Sequence, residues 1–306
     1  MPPAKTRMAA AFRRLLGVAG WLLHFAAAAA YSESAAIEYS YLAGAAYCDA
    51  APLQNWSCGA SCRALQQGSV QNVTAIQGQR SDQFGFVARY LGQCVVSFRG
   101  TSNLEGWVHD LESLVSVQLD GCSYAGDDCR IGDGFMKNYN SLKDGVKGAL
   151  DKLGCRSSKT VVVGHSLGAA EAAVAMWDLN RSGYPLADGY TFGQPRTGNK
   201  AFSEAFRAAG LTLWRVTHGE DPIVHLPPKA LYFHHTATEV YYAGLTSDGH
   251  KVCDGDGEDK DCADQYWDVP VMLAKCLKDG ERECDHLTYM WNARSFRLDS
   301  EGCGES

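Results

Sequence analysis

Apolar residues along this chain switch between two periods. From Phe135 to Leu153 they recur every three or four positions, at Phe135, Tyr139, Leu142, Val146 and Leu150. That spacing places one face of an α-helix in a core. The period then collapses at Thr160-Val161-Val162-Val163, a β-branched run of the kind found in strands covered on both faces. Ala169 to Leu179 is alanine-rich and returns to helix-favouring composition. The same reading predicts helices over Ala35–Cys48 and Lys200–Ala209. It predicts strands over Val73–Ile76, Phe84–Tyr90, Cys94–Phe98, Gly189–Phe192, Leu211–Val216 and Glu239–Tyr242. Strands alternating with helices predict an α/β fold, a mostly parallel central sheet with helices on both faces.

One further stripe is amphipathic. Leu104, Trp107, Val108, Leu111 and Leu114 fall at i, i+3, i+4, i+7 and i+10, a one-faced helical pattern. A core-packing helix would show the same spacing.

The first thirty residues read as a separate segment. Lys5, Arg7, Arg13 and Arg14 precede an apolar run from Leu15 to Ala30 that ends in alanines. This is the pattern of a secretory signal peptide, cleaved after Ala28 to Ala30. The run is short for the rival reading, a membrane anchor. The expected organisation is therefore a leader over 1–30 and a single domain over 31–306. Twelve cysteines fit an oxidising compartment. Three sequons beginning at Asn55, Asn72 and Asn180 agree with export. A formal charge of −7 offers no basic footprint for nucleic acid, so no nucleic-acid partner is expected.

Between the valine strand and the alanine helix stands Gly164-His165-Ser166-Leu167-Gly168. G-x-S-x-G in the setting strand, sharp turn, helix exposes a nucleophilic serine and aims the next amide at a developing oxyanion. Ser166 then needs a base, and the base an orienting carboxylate. In this arrangement the chain order is Ser, acid, His. The turn Thr217-His218-Gly219-Glu220-Asp221-Pro222 offers Glu220 and Asp221, with Asp221 stiffened by the proline that follows. His218, His225, His234 and His235 are read as structural. Of the other histidines after Ser166, His286 is favoured over His250 as the base. It lies in Cys284-Asp285-His286-Leu287, at the start of an expected terminal helix.

Several ordered blocks between Tyr47 and His286 resemble the fungal-type class 3 lipases of the α/β-hydrolase superfamily. These are Cys48 with Trp56, Cys58 and Cys62; Val96-Ser97-Phe98-Arg99-Gly100-Thr101; Gly132-Asp133-Gly134-Phe135; and Gly164 to Gly168. Thr191 to Gly198, reading TFGQPRTG, Asp221 to Pro228 and Asp285-His286-Leu287-Thr288-Tyr289 complete the set. Ala169 and Ala237 stand where the family usually has glycine, and Glu171 is a charge early in a helix that is usually bland. The resemblance implies Ser166, Asp221 and His286 as the catalytic triad, with Thr101 and Leu167 forming the oxyanion hole. It also implies that the stripe holding Leu104, Trp107 and Val108 is a movable lid. It supports Cys58–Cys62 and Cys253–Cys262 as short closures, and Cys48–Cys303 would tie the first helix to the tail. Cys122–Cys129 and Cys276–Cys284 are expected as local closures, which leaves Cys94 and Cys155 either joined or free.

The expected activity is hydrolysis of acylglycerols, most specifically triacylglycerols, through an acyl-enzyme. The enzyme would touch the lipid–water interface transiently through the lid. A phospholipase A or galactolipase and a feruloyl-type esterase are the enzymatic alternatives. A non-catalytic lipid-binding protein on the same fold is the alternative outside enzymes. No cofactor is expected. Asp254 to Asp259 imitates a calcium loop, but the sixth and twelfth positions of that pattern are Asp259 and Gln265, where glycine and glutamate are required. The expected role is an acidic, solvated loop, with no metal.

Overall fold

A computed structural model describes residues 1, 30–80, 83–101, 103, 105, 106, 108, 115–278, 284–290 and 297–303. The expected leader, apart from its two ends, lies outside the described residues, as do Leu104 and Trp107 of the expected lid. Tyr31–Ser306 forms one compact unit. No described helix is long and apolar enough to cross a membrane.

The elements in chain order are α1 (Glu33–Ala45), α2 (Ala50–Gln54), α3 (Gly59–Arg63), β1 (Val70–Gln77), β2 (Phe84–Tyr90), β3 (Gln93–Phe98), β4 (Ser116–Tyr124) and β5 (Asp127–Gly132). They continue with α4 (Asp133–Lys152), β6 (Thr160–His165), α5 (Leu167–Arg181), β7 (Gly189–Phe192), α6 (Lys200–Ala208), β8 (Leu213–His218), β9 (Glu239–Tyr242), β10 (Lys251–Val252) and α7 (Val269–Leu277). Eight strands form one sheet in the order β1-β2-β3-β6-β7-β8-β9-β10. The centre, β3 to β9, is parallel, and the antiparallel pairings lie at its two margins. This is the mostly parallel α/β sheet expected.

Alternation along the strands assigns the two faces. Val96, Phe98 and Val162 pack with Phe135 and Leu142 of α4, Val174 and Met176 of α5, and Phe202 and Phe206 of α6. Val95, Val161 and Val163 point the other way, onto Ala36, Leu42 and Ala43 of α1 and Leu53 of α2. The three valines of β6 are thus buried on alternate sides, which is why that stretch of sequence shows no polar face. Truncating a buried phenylalanine such as Phe98 in this core would cost about 3–5 kcal/mol.

All twelve cysteines are joined, as Cys48–Cys303, Cys58–Cys62, Cys94–Cys155, Cys122–Cys129, Cys253–Cys262 and Cys276–Cys284. Cys94 and Cys155 are therefore a bridge, not free thiols. Their proximity follows from β3 pairing β6, which sets Cys94 opposite Thr160.

Four sequence expectations need correction. The strand expected over Leu211–Val216 runs from Leu213 to His218, because its pairing with β9 continues through His218 opposite Tyr242. The hairpin β4–β5 and helix α7 were not anticipated; β4 is largely solvated and α7 is short, so neither has a strong period. The terminal helix expected from His286 is only a single 3₁₀ turn, Asp285–Leu287. The loop Asp254–Asp259 is closed by Cys253–Cys262 but is not wholly solvated: Glu258 turns inward onto Arg196 at 2.9 Å.

Candidate active site

Ser166 sits between β6 and α5 with φ 59° and ψ −126°, a conformation that costs a non-glycine residue energy and is tolerated where the surroundings over-determine it. Here they do. The Ser166 amide donates to the Phe192 carbonyl at 3.0 Å. A Cβ at Gly164 would lie 2.2 Å from the Gly168 carbonyl oxygen, and one at Gly168 would lie 2.3 Å from that of Phe98. Both glycines of the motif are required because the turn leaves no room for side chains. Leu167 opens α5, where the first amides of a helix lack intrahelical acceptors.

Asp221 follows β8 and is buried. Three donors converge on its carboxylate. His286 Nδ1 lies 2.9 Å from Oδ2 and 3.1 Å from Oδ1, the Ile223 amide donates to Oδ1 at 2.8 Å, and the Tyr289 hydroxyl donates to Oδ2. Burial alone would raise the carboxyl pKa; attraction to His286 and these hydrogen bonds outweigh it and hold it below the usual carboxylate range. Burial and the same carboxylate push the Tyr289 phenol well up, so it remains a donor.

His286 is fully buried on the 3₁₀ turn. That turn is held on two sides: Cys284 is bonded to Cys276 of α7, and Asp285 accepts the Glu220 amide at 2.7 Å. With Nδ1 donating to Asp221, Nε2 carries the free lone pair a general base needs. His286 Nε2 and Ser166 Oγ are both buried without a hydrogen-bond partner. Such atoms are costly to leave unmatched. These are the atoms a nucleophile and a general base would use, and hydrogen bonds between such groups are often long in apo structures. Gly193 makes room for the pair: a Cβ there would lie 2.8 Å from the His286 ring and 3.0 Å from Asp221 Oδ2.

His165, the variable residue of the serine motif, was not assigned a role from sequence. Its Nε2 lies 2.7 Å from the His286 carbonyl oxygen, which can only accept, so Nε2 carries the proton. Nδ1 is then the acceptor, and the Tyr47 hydroxyl donates to it at 2.7 Å. Burial and the neighbouring His286 push the His165 pKa well below its usual value, so it stays neutral. Tyr47 and His165 therefore fix the backbone that carries His286. Nothing local in the sequence pairs residues 118 positions apart; Tyr289, three positions after His286, was the more findable omission.

The other expected site residues are placed as follows. Gly100, the residue before Thr101, abuts Ser166: a Cβ there would lie 2.9 Å from Ser166 Cβ. The Thr101 hydroxyl accepts the Asn103 amide at 3.1 Å. Glu105, Gly106 and Val108 are helical, Asn103 Oδ1 accepts the Gly106 amide at 3.1 Å, and Val108 packs in the main core. Glu220 is at the surface, paired with Lys275 at 3.0 Å. His218, His225, His234 and His235 all bond or pair elsewhere, to Asp285, Asp264, the His235 carbonyl and the Val224 carbonyl. Glu239, Cys253 and Cys262 form the one metal-ligand grouping among the described residues, and both sulfurs are in a disulfide.

A second polar cluster braces the acid loop. Arg196 donates to the carbonyls of His225 and Pro227, to both oxygens of Glu258, and to Asp264 at 3.2 Å. Burial pushes the Glu258 carboxyl up, but the Arg196 guanidinium and the His235 backbone amide, which donates to Glu258 at 3.0 Å, outweigh it and hold the carboxyl far below the usual range. Lys229 closes the cluster from outside.

The family model described as "Lipase (class 3)" matches residues 95–231. The secreted mono- and diacylglycerol lipase 1 of Fusarium solani is 32% identical over 230 residues, 71% of this chain and 67% of that protein. The secreted mono- and diacylglycerol lipase A of Penicillium cyclopium is 33% identical over 169 residues, 53% of each; the chain thus spans about half the length of that relative. The solved structure of Rhizomucor miehei triacylglyceride lipase is similar with a TM-score of 0.71 at 26% identity, covering 90% of this chain and 99% of that one.

Proposed function

Since this chain belongs to the class 3 lipase family, we propose that it is a secreted serine ester hydrolase acting on acylglycerols, triacylglycerols foremost. The observation that carries the reading is the buried set of Ser166 Oγ, His286 Nε2 and the Asp221 carboxylate, with the imidazole proton committed to Asp221. In the mechanism Ser166 Oγ attacks the ester carbonyl carbon while His286 Nε2 takes the hydroxyl proton. The oxyanion is met by the amides of Thr101 and Leu167 and the Thr101 hydroxyl, which must turn from Asn103. Collapse breaks the bond to the leaving alcohol, and His286 returns the proton to that oxygen. Water, deprotonated by His286, then attacks the acyl-Ser166 ester, releasing the carboxylic acid and restoring serine. Asp221 stays ionised and stabilises the imidazolium in both halves.

The segment holding Leu104, Trp107 and Val108 serves as the lid in this reading and makes transient contact with the lipid surface. Export through a leader over residues 1–30 is supported by the six disulfides, the exposure of all three sequon asparagines, and the word "secreted" in the relatives' names. A second reading, preference for mono- and diacylglycerols, is favoured by the names of those relatives. Hydrolysis of triolein, diolein, monoolein, phosphatidylcholine, a galactolipid and methyl ferulate decides between them. Triolein turned over at a rate comparable to or above diolein supports the first reading; turnover of the partial glycerides alone supports the second. Turnover only of ferulate or phospholipid refutes both.

A further inference from the structure

The apolar content of α7 exceeds what the fold requires. Its inner face is fully accounted for: Met272 and Cys276 are buried, and Val269, Leu273 and Leu277 pack against the main core. The outer face of a one-sided surface helix is ordinarily polar. Here it carries Pro270, Val271 and Ala274, and Trp267 stands just before the helix begins; all four are exposed. Trp267 is 83% exposed and Val271 61%. Among the described tryptophans Trp267 alone is exposed. Neither side chain stabilises the folded domain by burial, so their apolar character calls for another partner.

The element's attachments and charges indicate which. Cys276 bonds Cys284, two residues before His286, and Lys275 pairs with Glu220, the residue before Asp221. The stripe therefore lies on a short, stiff element braced to the base loop and to the acid loop. Lys275 and Lys278 are exposed at its C-terminal end. An indole beside an aliphatic stripe, with lysines at one end, is the composition of helices that lie in a lipid–water boundary, the ring at headgroup level and the ammonium groups in water. A stable protein partner needs roughly 20–30 residues a side, far more than this stripe supplies.

We propose that Trp267, Pro270, Val271 and Ala274 form an interfacial anchor that seats the enzyme on the surface of an aggregated acyl-ester substrate, separately from the lid. The proposal rests on the lipase reading above. It deepens it by naming a second contact with the lipid surface, one that needs no lid movement.

The test uses the full chain with Ser166→Ala, so that lipid is not consumed, and a phosphatidylcholine-stabilised triolein emulsion as probe. Trp267→Ser with Val271→Ser should weaken partition onto the emulsion about tenfold, a modest part of what full burial of two such side chains is worth. In the Ser166 enzyme the same pair should leave hydrolysis of dissolved p-nitrophenyl butyrate unchanged, which also establishes that the variant folds. In the unmutated stripe, brominated phosphatidylcholine should quench a fluorescence component that Trp267→Phe removes. Unchanged partition, or no such component, overturns the proposal. A stripe-dependent dimer in sedimentation without lipid also overturns it, since the occupant would then be a second copy. Ester hydrolysis with stripe-independent binding sinks the anchor alone. Stripe-dependent binding with no hydrolysis of any ester sinks the lipase reading and leaves the anchor standing.

Discussion

Replacing Asp221 by asparagine keeps the side chain's volume but removes its charge and one of its two acceptor atoms. The site makes that loss specific, because three donors converge on the carboxylate: His286 Nδ1, the Ile223 amide and the Tyr289 hydroxyl. An asparagine can face them with one oxygen only, and its NH₂ must point at a donor. The Ile223 amide can only donate and keeps the oxygen, so the NH₂ meets the Tyr289 hydroxyl, which can turn to accept, and His286 Nδ1, which can accept only by moving its proton to Nε2, a tautomer that cannot accept from Ser166. The electrostatic loss is also large. A carboxylate 2.9 Å from the imidazolium is worth about 6 kcal/mol at an effective dielectric constant of ~20. Four decades in rate correspond to about 5.4 kcal/mol. We therefore expect Asp221→Asn to lower kcat by about 10³–10⁴. Dissolved p-nitrophenyl butyrate is the substrate of choice, so that neither lid nor interface enters, with near-ultraviolet circular dichroism as the check on fold. Tyr289→Phe removes one hydrogen bond to a charged group, worth about 1.5–3 kcal/mol. It leaves the tautomer intact, so it should lower stability by that amount and cost much less rate. Glu220→Gln breaks an exposed ion pair with Lys275 and should change kcat less than about fivefold. Asp221→Asn within tenfold of the parent enzyme, or Glu220→Gln the worse of the two acid variants, would refute the assignment.

Ser166→Ala should abolish measurable esterase activity without unfolding the protein, and a fluorophosphonate should label Ser166 alone, as peptide mapping would show. Arg196→Met leaves Glu258 and the partly buried Asp264 with Lys229 as their remaining cation, and the lost charged hydrogen bonds should destabilise the protein by about 1.5–3 kcal/mol in urea titration; a loss under about 0.5 kcal/mol would mean the guanidinium contributes little. His165 and His235 have folded pKa values pushed well below normal, first by burial. The unfolded chain therefore binds more protons, and the stability these residues confer is full above about pH 6.5 and declines below it. Between pH 7.5 and 5.5 each should cost about 1.4 kcal/mol, so a flat stability profile over that window would count against neutral buried imidazoles. Trp107→Ser in the proposed lid should depress hydrolysis of emulsified triolein far more than of dissolved p-nitrophenyl ester; equal losses would make that segment ordinary packing.

Much of the fold was legible because its signals are local. The three valines of β6, the short β-rich runs of β2 and β3, and the periodic face of α4 each specify an element within a few residues. The serine motif could be placed because strand, turn and helix are consecutive in sequence, and the crowding that demands Gly164 and Gly168 arises within that same turn and against β3. Asp221 and His286 were reachable through chain order and resemblance, but the only local feature separating Asp221 from Glu220 is the proline after it, which stiffens the loop without aiming the carboxylate. Tertiary structure separates them: β8 and the bonded Cys276–Cys284 segment turn one carboxylate inward to three donors and leave the other at the surface with Lys275. The Tyr47–His165–His286 connection, the inward turn of Glu258 onto Arg196, and the exposed apolar face of α7 were decided only by packing. Each depends on which segments distant in sequence the sheet order brings together, and on which side of a short helix is left facing water. Periodicity records that a residue is apolar or charged; what lies opposite it belongs to the fold.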